Sequence, residues 1–249
     1  MRHTQENMSE MVDEVRQGLA SRRGLLKGTA GLTGGAALTL AGIPALREFE
    51  AAAQDVGDDE ISVLNYALTL EHLENAFYRD GLASLTEQSF IDAGFDATVV
   101  DYIAEIGTNE ATHVETLTAV ITDLGGEPVE EGTYDFGDAF TDAEPFLATA
   151  QALENTGVSA YTGAAQYLID SDELLTAALT IHGVEARHAA YLNLLNGENP
   201  FPMSFDEPLN PAEVVEIASG FIVDAEVVTP EAFEPEEDAE GTPEGTPES

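Results

Sequence analysis

Two glutamates stand seven residues ahead of a tyrosine, Glu71 before Tyr78 and Glu154 before Tyr161. Two others stand three residues ahead of a histidine, Glu110 before His113 and Glu185 before His188. In chain order the pattern is Glu-x6-Tyr, Glu-x-x-His, then the same again. Glu71 and Glu154 lie 83 residues apart, as do Tyr78 and Tyr161; Glu110 and Glu185 lie 75 apart, as do His113 and His188. On a helix, residues seven apart fall within about 20° of each other, and residues three apart share a face. The repeat therefore reads as a duplicated helix pair whose halves differ only in linker length. It confines the chain to folds in which four helices turn acid-bearing faces towards one another.

Four segments have the matching helical period: about 59–80, 96–124 (stopped by Gly125 and Gly126), 142–170 (with Pro145 allowed in the first turn) and 172–196. The first is expected to end before Gly81. One or two residues join the third and fourth, which makes them antiparallel neighbours. About fifteen join the first and second, with SLTEQSFIDAG as a short helix, and the stretch after Gly125 is long enough to run the length of a bundle. A short fifth helix is expected within 210–222, and no alternating β-branched run competes. The fold class is all-α: a four-helix bundle of two antiparallel pairs with a long crossover between helices 2 and 3, plus a short C-terminal helix.

The faces carrying the acids are apolar. Leu68, Leu70 and Leu73 flank Glu71; Leu153 and Val158 flank Glu154; Ile106 and Leu117, and Ile181 and Leu192, bracket the two Glu-x-x-His pairs. A buried carboxylate is costly unless it is paired or bound to metal. Cations are scarce here. Six of the 48 acidic residues precede position 54, which leaves 42 against Arg79 and Arg187 in the rest of the chain. A divalent metal pair would balance four converging glutamates. With no cysteine in the chain, any transition-metal site must use carboxylates and imidazoles. A single Glu-x-x-His is a weak signal in a chain this acidic; the duplicated set is a strong one.

The segments LTLEHLENAFY, EATH, ALENTGVSAY and EARH resemble the ferritin-like di-iron carboxylate superfamily, whose site takes one glutamate from each of two helices and a Glu-x-x-His from each of the other two. The stretch NPFPMSFDEPLNPAEVVEIASGFI is similar to the ferritin-like subfamily that includes plant desiccation-related proteins. The resemblance covers about 58–198. It implies a pair of iron or manganese ions, with Glu71 and Glu154 as terminal carboxylates, Glu110 and Glu185 bridging, and His113 and His188 each on one metal. It implies supporting hydrogen bonds from Tyr78 and Tyr161. Arg79 and Arg187 adjoin site residues, and an ion pair orienting an outer carboxylate is expected there. His72 reads as a surface or rim residue, His182 as exposed or packing, and Glu74 and Glu115 as solvated acids in preference to extra metal ligands.

The ends read differently. SRRGLLKGTAGLTGGAALTLAGIPA at 21–45 places Arg22 and Arg23 ahead of a glycine-rich apolar stretch, which resembles a twin-arginine export signal with a cleavage site at Ala51–Ala53. The twin-arginine translocase would then be a transient partner, and the destination extracellular or the cell envelope, membrane-tethered if the signal stays. The domain reading is 1–53 signal region, 54–223 bundle and 224–249 disordered acidic tail. A net charge of −40 excludes a basic nucleic-acid footprint and resembles the composition of a halophilic protein. Self-repulsion on that scale is tolerated where molar salt shrinks the Debye length to roughly 3 Å.

For function the resemblance implies oxidative chemistry on dioxygen or peroxide: iron oxidation, peroxide reduction or catalase chemistry. Oxygen-rich ligands hold iron and manganese alike. With no cysteine to hold a rubredoxin iron, an internal electron relay is disfavoured. Two other readings stay open. One is a stress or desiccation-related protein in which the metal pair only staples the bundle. The other is a surface module acting through its acidic tail. Homo-oligomer formation is left open.

Overall fold

The computed structural model describes residues 58–225. The twin-arginine segment with Arg22 and Arg23, the cleavage site and nearly all of the acidic tail lie outside the described residues. Within them, the elements in order are α1 (Asp58–Ser84), α2 (Glu87–Asp92), α3 (Thr98–Asp123), β1 (Thr133–Tyr134), a 3-10 turn (Gly137–Phe140), α4 (Ala143–Ala164), a second 3-10 turn (Ala165–Leu168), α5 (Asp172–Leu195), α6 (Pro211–Ala218) and β2 (Ile222–Asp224). The long helices form the expected all-α bundle. Helix α1 packs chiefly on α3, and α4 on α5. Neighbouring helices run antiparallel: Glu71 meets His113 where Tyr78 lies against Gly107, and Asn155 meets Asn193 where Thr162 meets His182. No helix among the described residues is long and apolar enough to cross a membrane.

Local chemistry sets the boundaries. Asp142 caps α4 by accepting from the Ala143 amide at 2.7 Å. Asn210 and Glu213 cap α6 reciprocally, at 3.0 and 2.9 Å, with Pro211 in the first turn. Gly125, at φ +82°, takes the left-handed backbone that ends α3. Gly81 does not end α1, as its position had implied. The helix continues to Ser84, because Gly81 serves a close approach: a Cβ there would run into the Phe146 ring. Phe146 stacks on Phe77 at 4.9 Å and 10°, within an aromatic cluster that also holds Phe90, Phe136 and Phe140.

The crossover from α3 to α4 lies along α1. Asn65 fastens it, donating to the Glu127 carbonyl at 3.1 Å and accepting from the Val129 amide at 2.9 Å. Its β1 pairs antiparallel with β2, a ladder that sequence reading had not anticipated, and β2 runs through Asp224. Covered by α3, α4 and the crossover, with Ile217 and Ala218 of α6 close to Glu74, α1 is buried around most of its circumference.

Candidate metal centre

Each long helix sends its acid into the bundle axis at mid-height. Glu71 comes from α1, Glu110 and His113 from α3, Glu154 from α4, and Glu185 and His188 from α5. All four glutamates are fully buried, and the histidines are 8% and 5% exposed. Their atoms form two overlapping groups, Glu71, Glu110, His113 and Glu185, and Glu110, Glu154, Glu185 and His188, each with one donor atom per residue within 4.8 Å of the others. Glu110 and Glu185 are common to both. That is the topology of two cation positions sharing two carboxylates.

The histidines converge through one nitrogen each. His113 Nδ1 lies 3.2 Å from Glu71 Oε2, 3.1 Å from Glu110 Oε2 and 3.1 Å from Glu185 Oε1; His188 Nδ1 lies 3.0 Å from Glu110 Oε1 and 3.2 Å from Glu154 Oε2. One N–H cannot donate to three oxygens. Glu110 Oε1 and Glu185 Oε1 each face one shared imidazole nitrogen without hydrogen-bond geometry, and Glu185 Oε2 is buried with no hydrogen bond. Orphaned buried carboxylate oxygens carry a large desolvation cost, and a divalent cation would offset it. The donor set, four carboxylates and two imidazoles, suits iron or manganese.

The two tyrosines cross between the halves. Tyr78 donates to Glu154 Oε1 at 2.6 Å, and Tyr161 to Glu71 Oε1 at 2.5 Å. Each therefore holds the carboxylate of the opposite repeat, which fixes the orientation of the outer oxygens.

The electrostatics are those of an overcrowded anionic site. Burial, then the charge of Glu185, pushes Glu110 up to about 7. Burial and the charge of Glu154 hold Glu185 well above the usual carboxylate range. Glu154 is raised by burial too, though its bond to His188 opposes the shift. Glu71 goes the other way: burial raises it, but the hydrogen bond and charge of His113, with the Tyr161 hydroxyl, outweigh that and hold it low. Burial opposes charge on both imidazoles, yet the surrounding carboxylates win; His188 is pushed up to about 10, and His113 rises as well. Without metal, protons on the imidazoles partly neutralise the carboxylates; metal binding would displace them.

A ferritin-like domain pattern matches residues 59–198. The chain belongs to the ferritin-like domain family. It is also 27% identical over 168 residues to Protein rds1 of Schizosaccharomyces pombe, covering 67% of this chain and 40% of that protein. The chain thus spans less than half the length of that curated relative.

Several residues of this ferritin-like site sit elsewhere than the sequence implied. Glu74, read as a solvated acid, is 4% exposed. Burial, then Glu185, Glu154 and the other two carboxylates, holds its acid well above the ordinary range. Its place depends on Gly157: a methyl there would lie 3.1 Å from Glu74 Oε1 and 3.4 Å from Glu185 Oε2. The signal was present, because Glu74 follows Glu71 by three and its repeat mate, 83 residues on, is that glycine. His72, read as a rim residue, is 8% exposed because the crossover covers it, with Nε2 3.2 Å from the Val129 carbonyl. Asn109 was missed: its amide lies 3.1 Å from His188 Nε2. If His188 is to offer Nδ1 to a metal, Nε2 must keep its proton and Asn109 must present its oxygen. The repeat mate of Asn109 is Val184, so His113 has no equivalent support there.

The expected arginine contacts with the site are absent among the described residues. Arg187 is exposed and forms no ion pair with another described residue, and Arg79 pairs outside the site, with Asp80 and Glu131, each at 2.8 Å. Both side chains extend from outer helix faces, so adjacency in sequence to a buried ligand turns them away from it. Glu115 is exposed as expected, and His182 is half-buried against the Thr162 hydroxyl at 3.0 Å.

Proposed function

We propose that this protein binds two iron or two manganese ions between its four long helices and uses the pair as an oxidoreductase centre acting on dioxygen or peroxide. The carrying observation is the overlap of the two donor groups at Glu110 and Glu185. In this reading those two carboxylates would serve both ions, with Glu71 and His113 holding one and Glu154 and His188 the other. Bound there, such a pair supplies redox equivalents and open coordination positions for an oxidant. The chain's own residues hold the geometry. Tyr78 and Tyr161 fix the terminal carboxylates, Asn109 orients His188, and the apolar belt around the site excludes water. Export by the twin-arginine route, which carries folded and loaded proteins, belongs to the same proposal: it rests on Arg22 and Arg23 and the stretch after them, and puts the chemistry in the envelope or outside the cell.

Stopped-flow mixing of the Fe(II)-loaded protein with dioxygen or peroxide tests the activity. Rapid oxidation that disappears in Glu110→Ala is expected; a loaded protein inert to both oxidants would refute it. One observation favours a second reading, in which the metal serves the fold. The site joins all four helices and has no cation among the described residues except its own histidines. A large fall in melting temperature on chelation, in a protein without turnover, would mark that role, similar to the one envisaged for desiccation-related proteins.

A further inference from the structure

The core next to the carboxylates is filled differently at the two ends of the bundle. On the Tyr161 side a cavity of ≈30 Å³ lies among all four long helices. Its wall includes Ala67, Leu117 and Ile181, which are four residues from Glu71, His113 and Glu185 respectively, and the Tyr161 ring, whose hydroxyl bonds Glu71. Four residues of helix are roughly 6 Å, so the cavity begins about one turn from the ligand atoms.

The duplication supplies an internal control. Shifting by 83 residues between α1 and α4, or by 75 between α3 and α5, maps this wall onto the other end, beyond Tyr78. There Phe146 stands for Val63, Tyr191 for Thr116, Tyr102 for Ala177, Ile103 for Ala178 and Leu82 for Ala165. The reverse exchanges, Leu174 for Val99 and Ala164 for Gly81, each add one carbon. At the filled end Phe146 is buried and stacks on Phe77, while Tyr102, 57% exposed, meets the half-buried Tyr191 edge-on at 5.7 Å and closes the α3–α5 seam from its outer side. At the cavity end that seam has only Thr116 and Ala177. The same backbone positions thus carry buried bulk in Phe146 and Ile103 and a tyrosine-closed seam at one end, and small residues at the other.

We propose that this cavity holds dioxygen and delivers it to the metal pair, an inference that rests on the di-metal reading above. The wall is apolar except for Thr116 and Tyr161, and the Tyr161 hydroxyl is already engaged. So apolar a lining offers water few partners and favours apolar guests. One water-sized sphere needs roughly 10–15 Å³, so the space suits a diatomic molecule. Peroxide would lose its hydrogen bonds on entering; dioxygen has none to lose. Of the two oxidants, the cavity selects dioxygen.

Xenon is the probe. Crystals of the metal-loaded protein under xenon should show it between Ala67, Leu117, Tyr161 and Ala177. The Thr116→Tyr/Ala177→Tyr variant, which copies the filled end, should exclude it. With about two irons per chain retained, that variant should react with dioxygen at least about tenfold more slowly, and with added peroxide at an unchanged rate. Ala178→Ile, copying Ile103, gives a milder version if the double variant folds poorly. An empty cavity in xenon-treated wild-type crystals overturns the proposal, as does an unchanged dioxygen rate in a variant that excludes xenon. Two metals without xenon would leave the metal centre standing and refute the cavity alone. Xenon without metal would refute the di-metal reading, and delivery with it.

Discussion

The Nδ1 atom of His113 faces three carboxylate oxygens at 3.1 to 3.2 Å, and this contact dictates how the metal-free protein responds to pH. His188 is pushed up to about 10 and His113 also upward, so both are charged in the folded state over a range where an unfolded chain would leave them neutral. A raised histidine contributes stability that is complete below its unfolded value, near 6.5, and is lost as pH climbs through the folded value. Glu110, raised to about 7, adds in the same sense at lower pH: its ionisation disfavours the fold between about 4.5 and 7. Chelator-treated protein should therefore melt at progressively lower temperature from about pH 6.5 to about pH 10 at fixed salt, and the metal-loaded protein should lose less. A flat or rising profile for the metal-free form would show that the imidazoles are not held by the carboxylates. At this scale six positions were legible in the sequence, because spacing on a helix fixes direction. Glu74 and His72 were misread. Whether a residue beside such a face meets water depends on what covers the helix, and the Gly157 gap and the crossover are remote in sequence.

At the scale of elements, the two helix pairs, their order and the crossover followed from the repeat and from linker lengths. The extent of α1 did not, because glycine ends a helix in one context and admits a neighbouring ring in another. Gly81 belongs to the second case. Gly81→Ala gains up to about 1 kcal/mol of helix propensity but drives a methyl into Phe146, where overpacking costs roughly 1–3 kcal/mol. The expected net loss is about 1–2 kcal/mol in urea unfolding, and paired Gly81→Ala/Phe146→Leu should recover part of it. A more stable single variant would mean that Gly81 marks a helix end after all. The β1–β2 ladder was invisible because strands of two and three residues carry no periodicity. Their pairing is set by where α6 delivers the chain.

At the scale of the whole chain, the described residues balance a concentration of buried charge against a surface on which the only arginines are Arg79 and Arg187. With 48 acids and 8 basic residues in the chain, surface repulsion is screened as the Debye length falls from about 10 Å at 0.1 M salt to about 3 Å at 1 M. Over that range the melting temperature is expected to rise by roughly 5 °C or more, using the 2–4 °C that each kcal/mol is worth in a chain of this size. Little change would mean that the acids are compensated in a way the described residues do not reveal. The central claim, that Glu110 and Glu185 are shared between two metal positions, is tested most directly by counting metals. Elemental mass spectrometry on residues 54–249, purified in high salt, should find about two iron or manganese ions per chain. It should find none in a folded Glu110→Ala/Glu185→Ala variant. Folded wild-type protein that takes up no specific metal even on reconstitution, or a variant that keeps both ions, would contradict the account.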